Sequence, residues 1–129
     1  MTFSFRPEQR LRQAAEFQKV FDGAKYKIHQ SGFMLLATAH PTAARLGFVV
    51  AKRKVRRAHE RNRIKRLARE SFRLNQAQIP ALDIILMAKP EALSLSNTEL
   101  HDQLRKAWRA LAKKTQSPDS AMLRGTSVP

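Results

Sequence analysis

The sequence predicts a single α+β domain that combines three helices with a small sheet. Short apolar runs bounded by polar residues are typical of strands, longer segments carry apolar residues at helical spacing, and prolines separate the two kinds of segment. At 129 residues the chain has room for one hydrophobic core. The predicted order is helix, three strands, helix, strand and helix, within one domain spanning residues 1–114.

The first predicted helix covers residues 10–22. Its apolar residues Phe17, Val20 and Phe21 recur at the spacing of one helix face, and Gly23 follows where a helix commonly ends. This helix therefore has one apolar stripe available for packing.

Three strands are predicted next. Residues 25–30 alternate apolar and polar side chains, as a half-solvated strand does. The apolar runs 32–38 and 45–51 predict two antiparallel strands, and the segment AHPTAA that connects them carries Pro41 as a breaker.

The second half of the chain contains a helix, a strand, a helix and a tail. Pro80 closes a long helical stretch, and the apolar run 82–88 after it predicts a buried strand. Ser96 and Glu99 have the spacing of a capping box and start the last helix. Residues 115–129 are small and polar without periodicity, so we expect a disordered tail.

The charge of the chain indicates a polyanionic partner. Lys and Arg total 25 against 10 acidic residues, giving a net charge of +15 and a pI near 11.5. There is no cysteine, which excludes disulfides and thiolate metal sites and fits a reducing compartment. No signal peptide or membrane span is recognisable, so we expect a cytoplasmic protein without membrane contact.

Most of this charge is concentrated between residues 51 and 73, which hold eleven Lys or Arg residues against two acids. On a helical wheel, one face collects the packing residues Ile64, Leu67, Ala68, Ser71 and Phe72. The opposite face collects Asn62, Lys65, Arg66, Arg69 and Arg73. A charged face can simply be solvated. The scarcity of Glu partners and the further cations at 52–57 instead favour RNA or DNA binding.

The run RNRIKRLARESFR, preceded by AKRKV and by the triplet Arg45-Leu46-Gly47, closely resembles the RNR motif of the bacterial ribonuclease P protein subunit. That protein is the small basic partner of a catalytic RNA. The likeness extends to FQKVF in the first helix, to Phe33, and to the segment from Asp83 to Lys89. It covers roughly residues 10–113 in the same order.

The resemblance implies a two-layer α/β sandwich in αβββαβα order. Its sheet has about four mostly antiparallel strands and an unusual left-handed crossover through the basic helix, as in the ribosomal protein S5 domain 2-like fold. The resemblance also implies RNA contacts from the basic helix and the loop before it. With the basic face included, the predicted RNA-binding residues are Lys52, Arg53, Lys54, Arg57, Arg61, Asn62, Arg63, Lys65, Arg66, Arg69 and Arg73.

In this family, a cleft between the first helix and the sheet holds the 5′ leader of precursor tRNA. The resemblance therefore implies leader contacts from Phe17, Phe21, Phe33 and Lys52. Phe17 and Phe21 have the spacing of ordinary core aromatics, so packing and base stacking are both open for them. The chain departs from many members at residues 56–60, RRAHE, where a Gly and small apolar residues are usual.

No pattern in the sequence indicates protein-based catalysis. The four histidines are far apart, the ten acids are scattered without the pairs of a two-metal nuclease, and no Walker A or dinucleotide loop is present. Trp108 has core spacing with Leu104 and Leu111.

The resemblance implies the protein subunit of ribonuclease P, with hydrolysis carried out by the RNA. The expected partners are the catalytic RNA and precursor tRNA, with no protein partner required. The protein itself is expected to bind no cofactor, and Mg²⁺ is expected in the RNA active site. A ribosomal or other RNA-structuring protein is the alternative binding function, and a protein-only nuclease is the alternative enzyme.

Overall fold

The computed structural model describes residues 9–11 and 13–116, which build one sheet with helices on both faces. The helices are α1 (Ala14–Gly23), α2 (Ala58–Leu74) and α3 (Asn97–Gln116), with 3₁₀ helices at Gln76–Gln78 and Pro90–Ser94. The strands are β1 (Tyr26–His29), β2 (Phe33–Ala39), β3 (Arg45–Val49) and β4 (Leu82–Ala88). The predicted α+β class and the predicted order of elements are confirmed.

The strand order across the sheet is β1-β2-β4-β3. β4 pairs antiparallel with β2 and parallel with β3, so β3, α2 and β4 form a crossover unit. β2 and β3 run antiparallel to each other, as predicted, but they are not neighbours, because β4 lies between them. The sequence of β4, LDIILMA, is almost entirely apolar and buried, which suits a strand covered on both faces.

The first helix begins later than predicted, at Ala14 instead of residue 10. The segment before it extends along the edge of β3, where the Leu11 N–H donates to the Leu46 carbonyl oxygen at 3.1 Å. The backbone N–H of Gln13 then donates to Glu16 Oε1 at 3.1 Å, which closes the first turn of the helix. Leu11 belongs to this segment, and the burial of its side chain explains why the chain stays extended there.

The last helix begins where the capping box predicts. The Glu99 N–H donates to Ser96 Oγ at 3.1 Å, and the Ser96 N–H donates to Glu99 Oε1 at 2.8 Å. The helix continues through Gln116, two residues into the predicted tail, and residues 117–129 lie outside the described residues. None of the described helices combines the length and apolar character required to cross a bilayer.

The two faces of the sheet support separate hydrophobic clusters. On one face α2 and α3 build the larger cluster, in which Trp108 is fully buried, as predicted, and meets Phe72 edge to face at 5.8 Å between ring centroids. On the other face α1 builds a smaller cluster around Val20 and Ile85. The larger cluster anchors the basic helix, and the smaller one positions α1 over the sheet.

Candidate nucleic-acid interface

The two faces of α2 are those that the sequence predicts. Ile64, Leu67, Ala68, Ser71 and Phe72 are buried against the sheet and α3. On the other side, a basic band consists of Asn62, Lys65, Arg66, Arg69 and Arg73, all exposed or half-buried. A helix of 17 residues is about 25 Å long, so this band presents an extended cationic surface.

A basic turn, residues 51–57, continues this charge between β3 and α2. The N–H groups of Lys54 and Val55 both donate to the Ala51 carbonyl oxygen, at 3.0 and 2.9 Å. Val55 is fully buried and anchors the turn in the core. The cations of the turn are therefore exposed on a backbone that is held in place: Lys52, Arg53, Lys54, Arg56 and Arg57.

The basic turn also borders an open pocket. Arg53, Lys54, Arg56 and Arg57 line it together with Glu60 and the exposed side chain of Leu93 from the second 3₁₀ helix. An exposed apolar side chain ringed by cations can contact a base or a ribose while the guanidinium groups pair with phosphate oxygens. Leu93 is a contact candidate that sequence reasoning missed, because it comes from a segment about 40 residues away along the chain.

Arg61, a predicted RNA contact, has internal partners. Its Nη1 donates to the carbonyl oxygens of Val55 and Arg56, at 2.9 and 2.7 Å, and so ties α2 to the basic turn. The sequence contains a signal for this internal role of Arg61. On the helical wheel Arg61 lies only about 60° from Ile64, which belongs to the packing face of α2. Arg61 therefore stabilises the backbone of the basic turn.

Arg63, also a predicted RNA contact, is 18% exposed in its side chain and has four internal acceptors. Its Nε donates to Glu60 Oε1 at 3.0 Å, and its Nη1 donates to Asn97 Oδ1 at 2.7 Å. Its Nη2 donates to the carbonyl oxygens of Ala92 and Leu95, both at 3.2 Å. Arg63 therefore fastens α2 to the segment that leads into α3.

Arg69 lies at the edge of the basic band, with its guanidinium 5.2 Å from the centre of the Phe48 ring on β3. Partial burial, and secondarily repulsion from Arg10, lower the pKa of Arg69 from its usual value. An arginine remains charged under these conditions, so an anion at this site would relieve an unfavourable environment.

The opposite face of the sheet is only partly covered by α1. Four side chains lie in one row across all four strands: His29, Met34, Met87 and Val49. We call this the open row, because His29 is exposed and the other three are half-buried. The row ends at β3, directly before the basic turn, so an apolar surface and a cationic turn are neighbours.

Two of the three predicted leader-contacting aromatics belong to this face. Phe17 is half-buried and packs against the smaller cluster, as Met34, Val49 and Met87 also do. Phe21, one helical turn further along α1, is 41% exposed. Phe17 therefore combines packing with partial accessibility, and the accessible ring of Phe21 is available to a ligand.

Phe33 does not share that surface, and its prediction as a leader contact is wrong. The residue is 1% exposed and belongs to the larger cluster on the other face of the sheet, beneath α2 and α3. Side chains alternate between the two faces of a strand, so Phe33 points away from α1 and its neighbour Met34 points toward it.

At the far side of α1 from the open row, three charged side chains form an ionic clamp. Arg45 on β3 donates from Nε and Nη2 to the two carboxylate oxygens of Asp83 on β4, at 2.7 and 2.8 Å. Its Nη1 donates to Glu16 Oε2 on α1 at 2.8 Å. Hydrogen bonding to Asp83 is the largest of the effects that raise the pKa of Arg45 above its usual value.

Other titratable groups have local roles. The Nδ1 atom of His40 accepts hydrogen bonds from the backbone N–H groups of Thr42 and Ala43, at 3.3 and 3.2 Å. The Nε2 atom of His101 lies 3.3 Å from Glu70 Oε1. Within residues 9–11 and 13–116, no three side chains among His, Cys, Asp and Glu are grouped as metal ligands.

Comparison with known proteins assigns the chain to a family. The model of the family described as Ribonuclease P matches residues 5–112. The ribonuclease P protein component of Acinetobacter baylyi is 55% identical over 115 residues, which cover 88% of each chain. That of Chromohalobacter salexigens is 44% identical over 118 residues, which cover 91% of this chain and 92% of the relative.

Solved structures agree with this assignment. The ribonuclease P protein of Staphylococcus aureus superposes with a TM-score of 0.73 at 26% identity, covering 79% of this chain and 94% of that one. The ribonuclease P protein of Thermotoga maritima superposes with a TM-score of 0.68 at 27% identity, covering 78% of this chain and 96% of that one. Sequence, fold and charge distribution thus lead to one conclusion: the chain belongs to the ribonuclease P protein family.

Proposed function

We propose that this chain, the protein subunit of the tRNA-processing endoribonuclease ribonuclease P, binds two RNAs through different surfaces. The basic band and the basic turn bind the catalytic RNA. The open row, together with Phe17 and Phe21, binds the 5′ leader of precursor tRNA. The observation that supports this division most directly is the position of the basic turn, between the band on one side and the open row on the other.

The proposed leader surface suits single-stranded RNA of variable sequence. Every base has a flat face that can stack on Phe21 or rest on the methionines of the open row, and such contacts require no particular base. The leader phosphates then lie toward Lys52 and its neighbours in the basic turn. This arrangement would let precursor tRNA bind more tightly than mature tRNA, which has no leader.

The reaction itself is assigned to the RNA subunit. Mg²⁺ in the RNA active site would supply the metal-assisted hydrolysis, and the protein residues would contribute electrostatic attraction and leader binding. We further propose that this assembly works in the cytoplasm, since the chain contains no cysteine and carries the charge of an RNA-binding protein.

One experiment tests this function against its alternatives. Precursor tRNA and Mg²⁺ are incubated with the purified protein, with its RNA partner, or with both, and affinities for precursor and mature tRNA are compared. We expect cleavage only when the RNA is present, and a gain in affinity from the protein only for substrates that carry a leader. Cleavage by the protein alone would identify a protein nuclease. An equal gain for both tRNAs would indicate an RNA-structuring role without leader binding.

A further inference from the structure

The side chains beneath α1 form three rows across the sheet, spaced about 6.6 Å apart because alternate residues of a strand share a face. The open row is the first, and it includes Met34 and Met87. The second includes Leu36, Ile85 and Gly47, and the third includes Thr38, Asp83 and Arg45. The registers of β2, β4 and β3 therefore place the ionic clamp two rows, or about 13 Å, from the open row.

Contacts with the second and third rows determine where α1 lies. The ring of Phe17 lies close to Gly47 in the second row. A Cβ added at Gly47 would come within 2.7 Å of Phe17 Cζ. Glu16 pairs with Arg45 in the third row. At the other end of the helix, a Cβ added at Gly23 would lie 3.8 Å from Thr38 Oγ1 in the same row. α1 thus covers two of the three rows, and the open row remains beyond its edge.

The ionic clamp holds α1 in this position relative to the sheet. Asp83 is 4% exposed and engages Arg45 through both carboxylate oxygens, so the guanidinium plane is fixed relative to the sheet. The remaining Nη1 atom of Arg45 is then directed at Glu16, in the first turn of α1. Arg45 therefore joins a buried carboxylate of the sheet to the helix that carries Phe17 and Phe21.

We infer that Arg45 is a positioning residue for precursor recognition: through Glu16 it holds α1 so that Phe17 and Phe21 border the open row at a fixed distance. This inference rests on the proposed leader surface. Without the clamp, α1 remains attached by the apolar contacts of Val20 and Phe17 but can shift across the sheet. The distance between α1 and the open row then varies, and precursor tRNA binds less tightly.

The test uses the assembled ribonucleoprotein and the substitution Glu16→Gln. Glutamine keeps an oxygen that can accept the Gln13 N–H, but its amide cannot replace the carboxylate that pairs with Arg45. The matched control is Asp102→Asn, which breaks exposed ion pairs with Arg105 and Lys106 on α3 and changes the net charge by the same amount. A general electrostatic effect on RNA binding is therefore equal in both variants.

We expect Glu16→Gln to weaken precursor binding about 3- to 10-fold relative to the control, with mature tRNA affinity unchanged. Amide hydrogen exchange in α1 should become faster. Combining Glu16→Gln with Phe21→Ala should give less than the product of the two separate losses, since both act on the same contact. A purely structural role would lower stability without changing the ratio of precursor to mature affinity.

Two outcomes separate failure of this inference from failure of the leader surface. If Phe21→Ala weakens precursor binding while Glu16→Gln behaves like Asp102→Asn, the clamp does not position α1 and the inference is overturned alone. If Phe21→Ala leaves precursor binding unchanged in a fully assembled particle, the leader surface is refuted and the inference falls with it.

Discussion

The indole N–H of Trp108 donates a 2.9 Å hydrogen bond to the hydroxyl of Ser71, in the fully buried seam between α3 and α2. Apolar packing surrounds this hydrogen bond, including the edge-to-face pair of Trp108 and Phe72. Because α2 also carries the basic band, the seam couples the stability of the core to the orientation of that band.

We predict that Ser71→Ala destabilises the fold. The substitution leaves the buried Trp108 N–H without an acceptor, which costs about 1 to 3 kcal/mol. Urea denaturation followed by tryptophan fluorescence measures the change, and Ser94→Ala on an exposed 3₁₀ helix is the control. Equal midpoints for the two variants would show that the hydrogen bond contributes nothing.

Binding to the RNA subunit should weaken steeply with salt. With roughly five phosphate contacts, the slope of log affinity against log salt concentration is about −4. Replacing the exposed Arg66 with Gln should make this slope shallower by about one contact. A titration that stays flat between low and moderate salt would contradict the electrostatic account of this interface.

Arg63 and Arg66 should differ in their contribution to folding stability. Arg63→Ala removes hydrogen bonds to Glu60, Asn97 and two carbonyl groups, and we expect a loss of about 1.5 to 3 kcal/mol in folding stability. Arg66→Ala should change stability by less than about 0.5 kcal/mol, as exposed substitutions usually do. Denaturation midpoints decide this prediction, and equal values for the two variants would refute it.

Phe21→Ala should weaken precursor tRNA binding by about 1 to 3 kcal/mol, the usual contribution of one aromatic–base stack. Mature tRNA affinity should hardly change, because mature tRNA has no leader. Leu74→Ala is a suitable control, since Leu74 is 58% exposed and lies on α2, away from α1. An equal loss for both tRNAs would reject leader stacking by Phe21.

Gly47→Ala should destabilise the protein by about 1 to 3 kcal/mol, the usual cost of overpacking. The added methyl would meet Leu11 Cβ and Phe17 Cζ, both at 2.7 Å. Gly23→Ala is the matched control, because its Cβ would lie 3.8 Å from Thr38 Oγ1, an ordinary contact distance. If thermal unfolding shows the two alanines to be equivalent, α1 does not depend on close approach at Gly47.

Features that follow from local periodicity were predictable from the sequence. The packing face of α2, the capping box at Ser96 and the core position of Trp108 depend on residues within one or two helical turns. The internal role of Arg63 was not predictable, because three of its four acceptors come from residues about 30 positions away. Charge alone does not distinguish an arginine that binds RNA from one that binds its own backbone.

Strand neighbours and strand faces were harder to predict for a related reason. Alternation indicates that Phe33 and Met34 point to opposite faces, but it does not identify which face each helix covers. Pairing of β2 with β3 is the default for consecutive strands, and the insertion of β4 between them depends on long-range contacts. The prediction of Phe33 as a leader contact failed because alternation does not show which face of β2 lies beneath α1.

The central place of β4 has a consequence for biosynthesis. Among the strands of residues 13–116, β4 is translated last, yet both β2 and β3 pair with it. A nascent chain that ends before Leu82 can form only the β1-β2 hairpin, and an isolated hairpin is marginally stable in water. The whole cationic segment therefore leaves the ribosome, itself rich in RNA, before the sheet that supports it can close.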